Sequence, residues 1–145
     1  MAFYLCVEAF GNGEDPNHRC HWGFLLHHSQ EDFGDLYEVQ LIDLKKLWYQ
    51  ANCREATTIR DPQAVGMCKI AVLDAKSRYA AIRVIKDEPA PRDGKRRCQD
   101  WTVDVLISLE AEELVASGTA ERWGRLVGMT AKELAVDSGD NWTAF

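Results

Sequence analysis

The chain lacks any apolar run long enough to cross a bilayer as a helix, which argues against a membrane span. It lacks positive charge in excess. Its formal net charge is −6, which argues against nucleic acid or an anionic membrane surface as the main partner. Paired cysteine spacing is missing too. Cys6, Cys20, Cys53, Cys68 and Cys98 are scattered and odd in number, which reads as reduced thiols in the cytosol rather than a disulfide framework. Neither C-x-x-C nor H-x-x-x-H occurs among these cysteines and His18, His21, His27 and His28, so no metal is expected. No nucleotide or other cofactor is expected either. Met1 to Glu8 has no basic region leading into a long apolar run, so it does not read as a secretion signal. No repeat or low-complexity segment is present.

What remains is globular. Hydrophobic residues make up 46% of 145 positions, enough for one domain with a real core. We expect a single domain over 1–145, with its core in 2–127 and an irregular tail at 137–145 on which Trp142 docks. Strands are expected at Ala2 to Phe10, Cys20 to His27, Leu36 to Ile42, around Leu47 to Cys53, and Met67 to Leu73. The short polar turn Ser29 to Asp35 makes the second and third strands an antiparallel hairpin. Asp74 can cap a helix from Ala75 to about Lys86, with Tyr79, Ile82 and Ile85 or Val84 facing inward. Pro89 to Lys95 is a proline- and glycine-bearing loop. A helix apolar on most sides then runs from Cys98 to about Val115, with Gly118 as its stop. Thr119 opens a short helix and Thr130 caps another turn. The fold class is therefore α+β, a small antiparallel sheet packed on a central helix.

Chemistry points to Arg96-Arg97-Cys98-Gln99-Asp100-Trp101. Cys98 falls on the first turn of a buried helix, where unpaired backbone N–H groups and the helix dipole favour negative charge, and Lys95, Arg96 and Arg97 push the same way. A cysteine so placed is a competent nucleophile. It needs an imidazole, and the imidazole needs an orienting polar group. His21 stands within the second strand. If it lies opposite Gln40, then Gly23 faces Glu38 and Leu25 faces Leu36, and every such pair shares a face. The expected triad is Cys98, His21 and Gln40. Trp22, Arg97 and Trp101 are the expected substrate contacts.

These segments carry a resemblance. His21-Trp22-Gly23-Phe24-Leu25-Leu26, Tyr37-Glu38-Val39-Gln40-Leu41 and Cys98-Gln99-Asp100-Trp101 resemble the permuted papain-like thiol enzymes, in the lecithin:retinol acyltransferase-like branch of the NlpC-type superfamily and the related PPPDE peptidases. The Cys-Gln-x-Trp helix is also similar to that of small uncharacterised fungal proteins. The likeness spans residues 20–42 and 96–115, with histidine before cysteine as in the permuted order. It implies a permuted papain-like fold, His21 as base, Gln40 in the third polar place and Cys98 as nucleophile. Arg97 departs from the family's asparagine, and Asp100 stands where the acyltransferases often carry histidine. An acid there would oppose a thiolate if it pointed inward. Family activities include peptide hydrolysis, phospholipid deacylation and acyl transfer.

The expectation is thus a cytoplasmic cysteine-dependent hydrolase or acyltransferase working through a thioester on a small-molecule, peptide or acyl substrate. The alternatives are a cyclase or isomerase of a small biosynthetic metabolite on the same fold, and a non-catalytic binding module.

Overall fold

The computed structural model describes residues 2–145. Five strands come first: β1 (Phe3–Phe10), β2 (His21–His28), β3 (Phe33–Asp43), β4 (Trp48–Thr58) and β5 (Ala64–Leu73). Four helices follow: α1 (Ala75–Asp87), α2 (Cys98–Ala111), α3 (Thr119–Leu126) and α4 (Ala131–Ser138). A single 3₁₀ turn (Gly139–Asn141) leads to β6 (Trp142–Ala144). The fold is α+β. The sheet is antiparallel throughout, in the order β4-β3-β2-β1-β5-β6. No described helix is long and apolar enough to cross a membrane.

Alternation along the strands separates two faces. Leu5, Val7, Trp22, Phe24, Leu26, Tyr37 and Val39 point to the helices and build the main core with Trp101, Val105, Leu106, Leu109 and Trp123. Aromatic edges tie the layers: Trp22 meets Trp123 at 5.2 Å between ring centroids, and Phe24 meets Trp101 at 5.7 Å. The opposite face carries a smaller cluster of Cys6, Phe10, Leu25, Leu36, Ile59 and Ala64. Glu8, His21, Gly23, His27 and Glu38 share that parity.

The β2–β3 ladder has Leu25 opposite Leu36, in the expected register, but it stops at Phe24–Tyr37. β2 stays paired with β1 as far as His21, and β3 stays paired with β4 as far as Asp43. The sheet therefore opens between β2 and β3 at the end where β2 begins. That opening positions the site.

Several expectations need correction. Tyr79 is exposed, and Ala81 and Ile85 are the buried residues of α1. Asp74 does cap this helix, accepting from Ser77 N at 2.7 Å. α2 ends at Ala111 rather than near Val115. Glu113 turns left-handed (φ 58°) and Leu114 N donates to Leu109 O at 2.9 Å, which closes the helix without a glycine. Gly118 (φ 92°) instead stands at the start of α3. The 137–145 tail is not irregular, since β6 adds to the edge of β5. Gly66 makes this possible: a Cβ there would lie 2.2 Å from the Trp142 ring.

Candidate active site

Helix α2 starts beside the first residue of β2. Its cap is local: Arg97 N donates to Asp100 Oδ2 at 2.8 Å. The Asp100 carboxylate is thus turned back onto the helix start. The loop before it is held by Asp93, which accepts from Lys95 N and Arg96 N, both at 2.9 Å. Arg96 bonds both Asp93 and Asp104. The second anchor is Gln99, fully buried, whose Nε2 donates to Cys20 O at 2.9 Å while its Oε1 accepts from Gly128 N at 2.8 Å. One side chain therefore fixes the first turn of α2 against the residue preceding His21. A buried amide so satisfied on both ends is a rigid link.

His21 and Cys98 meet across this junction. By alternation His21 belongs to the face of Phe10, whose ring centroid lies 5.5 Å from its own, while Cys98 packs on the helix-side core. They come together because His21 is the first residue of its strand and the sheet is open there. Nε2 of His21 donates to Oε1 of Glu38 at 2.6 Å, which leaves Nδ1 as the ring nitrogen for a proton exchange with sulfur. Burial pushes His21 down, but the neighbouring Cys98 and the hydrogen bond and charge of Glu38 outweigh it and lift the imidazole to about 9. The ring remains about one-third open to solvent, at 32% side-chain exposure, and Cys98 is half-buried.

Glu38 is the orienting group. Its other oxygen accepts from Asn52 Nδ2 at 3.0 Å, and Arg54 Nε stands 3.5 Å from it. Burial would raise this carboxyl, but hydrogen bonds from His21 and Asn52 and the charges of His21 and Arg54 hold it below its usual range. Gly23 lets β3 approach closely here, since a Cβ on it would stand 3.0 Å from Leu36 Cδ1 and 3.3 Å from Tyr37 O.

Gln40 does not take the third place. It is exposed and pairs with Gln50 across β4. The diagonal neighbour Glu38 reaches the ring, because the opened ladder lets the ring lean along the strand instead of straight across. Of the expected substrate contacts, Trp22 is fully buried in the helix-side core against Trp123. Trp101 is buried as well, its Nε1 donating to Glu88 O at 3.3 Å, yet it lines a cavity of about 310 Å³ with Tyr37, Ala51, Ile85 and Lys86. Arg97 is exposed beside Cys98. We found no family model, curated protein or solved structure that this chain matches.

Three residues near the site were not singled out from sequence. Glu38 was visible only as a polar residue two positions from the one chosen. Gln99 carried a signal, a polar side chain amid an apolar helix. Tyr49 is buried on β4, its N–H bonded to Pro91 O at 2.9 Å and its carbonyl accepting from Arg92 Nε at 3.2 Å. Burial raises the Tyr49 hydroxyl, and the charge of Cys98 adds to the rise. Among the described residues, no three His, Cys, Asp or Glu side chains converge as a metal site.

Proposed function

We propose that this chain is a cysteine-dependent acyl-transfer enzyme, a hydrolase or acyltransferase, with Cys98 as nucleophile, His21 as acid and base, and Glu38 orienting His21. The observation that carries the reading is the Glu38–His21 bond beside Cys98 at the start of α2, whose first turn Gln99 ties to the residue preceding His21. A protonated imidazole beside sulfur supplies a nucleophile and an acid for the leaving group in one contact. The sulfur attacks the acyl carbon, the tetrahedral oxyanion collapses, and the leaving group departs with the proton from His21. Water or a second alcohol or amine then gives its proton to His21 and attacks the thioester, and the thiolate leaves, restoring the protonated imidazole beside sulfur. The resemblance to permuted papain-like enzymes supports the same assignment, with glutamate in place of the expected glutamine. All five cysteines are free, which supports a reducing, cytoplasmic setting.

The test is labelling with acyl-electrophile probes followed by product analysis on wild-type protein and the Cys98→Ser and His21→Ala variants. Labelling confined to Cys98 and dependent on His21 is the expected result. A fully active Cys98→Ser protein excludes the mechanism.

A further inference from the structure

The end of the sheet that holds Cys98 also holds a concentration of exposed apolar side chains. Leu41, Ile42 and Leu44 are exposed at 43%, 50% and 76%, all in the tip of the β3–β4 hairpin. Leu41 pairs with Tyr49, Ile42 is the unpaired residue where the β3–β4 register shifts, and Leu44 stands in the turn beyond them. The tip is thus an apolar wedge rather than one side of a groove. No other strand connection has three large exposed apolar residues among the described residues.

Cations surround it. Lys45 and Lys46 are in the turn itself, and Arg92, Lys95 and Arg97 come from the loop leading into α2, all exposed. The two segments are joined: Lys46 and Arg92 both lie over the Trp48 ring, at 4.4 and 5.1 Å, and Tyr49 N donates to Pro91 O. Six basic side chains here, those five and Arg96, outnumber four acids. Asp93 and Asp104 bond Arg96, Asp43 accepts from Lys46 N at 3.0 Å, and Asp100 accepts from Arg97 N. Lys45, Lys95 and Arg97 form no ion pair among the described residues. In a chain of net charge −6, this end is locally cationic.

An apolar wedge within a ring of lysine and arginine matches a surface that is negative at its head groups and hydrocarbon beneath. We infer that the β3–β4 tip and the 92–97 loop dock on an anionic phospholipid surface and bring Cys98 to acyl lipids there. The docking stands on exposure and charge alone. Only the naming of acyl lipids as the substrate rests on the thiol-enzyme reading. The sequence-wide charge had argued against such a surface because it averages this end with the acidic remainder.

The test is co-sedimentation of the full chain with vesicles of phosphatidylcholine alone and of phosphatidylcholine mixed with phosphatidylserine. Binding to the mixed vesicles is expected to exceed binding to the neutral ones by about tenfold or more and to fall with added salt. Ile42→Glu/Leu44→Glu and Lys45→Glu/Lys95→Glu should each reduce binding about tenfold or more, with circular dichroism and Tm unchanged because these side chains are exposed. Val136→Glu, at another exposed apolar position (84%), should bind as wild type. Equal binding to both vesicles, no binding, or an equal loss in Val136→Glu overturns the inference. So does concentration-dependent self-association lost in Leu44→Glu without vesicle binding, which would assign the tip to a second copy. Cys98→Ser should bind vesicles as wild type. Vesicle binding without any Cys98-dependent release of acyl product would sink acyl lipids as the substrate and leave the docking standing. Cys98-dependent turnover of a dissolved ester without vesicle binding would sink the docking and leave the enzyme reading standing.

Discussion

Nε2 of His21 lies 2.6 Å from Oε1 of Glu38, a carboxylate–imidazole bond between two strands whose ladder has already opened. Glu38→Gln keeps a polar side chain of the same length but removes the charge. The His21 titration followed by NMR should move down from about 9, and probe labelling of Cys98 should slow by about tenfold or more. Gln40→Ala, at an exposed position, should change neither.

His21 also links stability to pH. Its folded value, about 9, lies above the ordinary 6.5, so the native state holds the proton more tightly than the unfolded chain. That stabilisation is fully present below about pH 6.5 and is lost as pH rises through about 9. Denaturant titration of wild type and His21→Gln should show their difference shrinking across this window. The ring is one-third exposed, so the change should be only about 0.5–1 kcal/mol.

Glu8 gives a second, separable pH effect. It is 1% exposed, lies opposite Gly23, and one of its carboxylate oxygens has no hydrogen-bond partner among the described residues. Burial raises it to about 8; the negative charge of Asp61 adds to the rise, Arg54 opposes it, and Glu38 adds further. The native state thus keeps a proton that the unfolded chain has lost, and stability falls as pH climbs from about 4.5 to about 8. Glu8→Gln does not titrate. It should gain on wild type across that range, by about 1–3 kcal/mol at pH 8, measured by urea unfolding.

Much of this arrangement was legible in the sequence, for reasons particular residues make clear. Period-two alternation in His21–His28 and the apolar surround of Trp101–Leu109 are strong local signals, and they placed β2 and α2. Asp74 and Thr130 announced their helices through side-chain caps. Gln40 as the third residue rests on a closed ladder, whereas β2 and β3 part beyond Phe24–Tyr37, which no local pattern encodes. β6 was hidden for a similar reason. Its docking depends on Gly66, remote in sequence, leaving room for the Trp142 ring.

Trp22 illustrates the limit of reading a site from neighbours in sequence. It follows His21 but points the other way, into a contact with Trp123 in the helix-side core. Trp22→Ala should cost about 3–5 kcal/mol in urea unfolding through the cavity it leaves. Trp22→Phe should retain most of the labelling rate at Cys98, as a core residue and not a substrate contact would.

The central claim concerns the sulfur, and it is tested most directly by the iodoacetamide labelling rate of Cys98, resolved by peptide mass analysis against exposed Cys53 in the same molecule. Cys98 should react about tenfold or more faster than Cys53 at neutral pH and fall to the Cys53 rate in His21→Ala. A Cys98 no faster than Cys53, and unmoved by loss of His21, would contradict it.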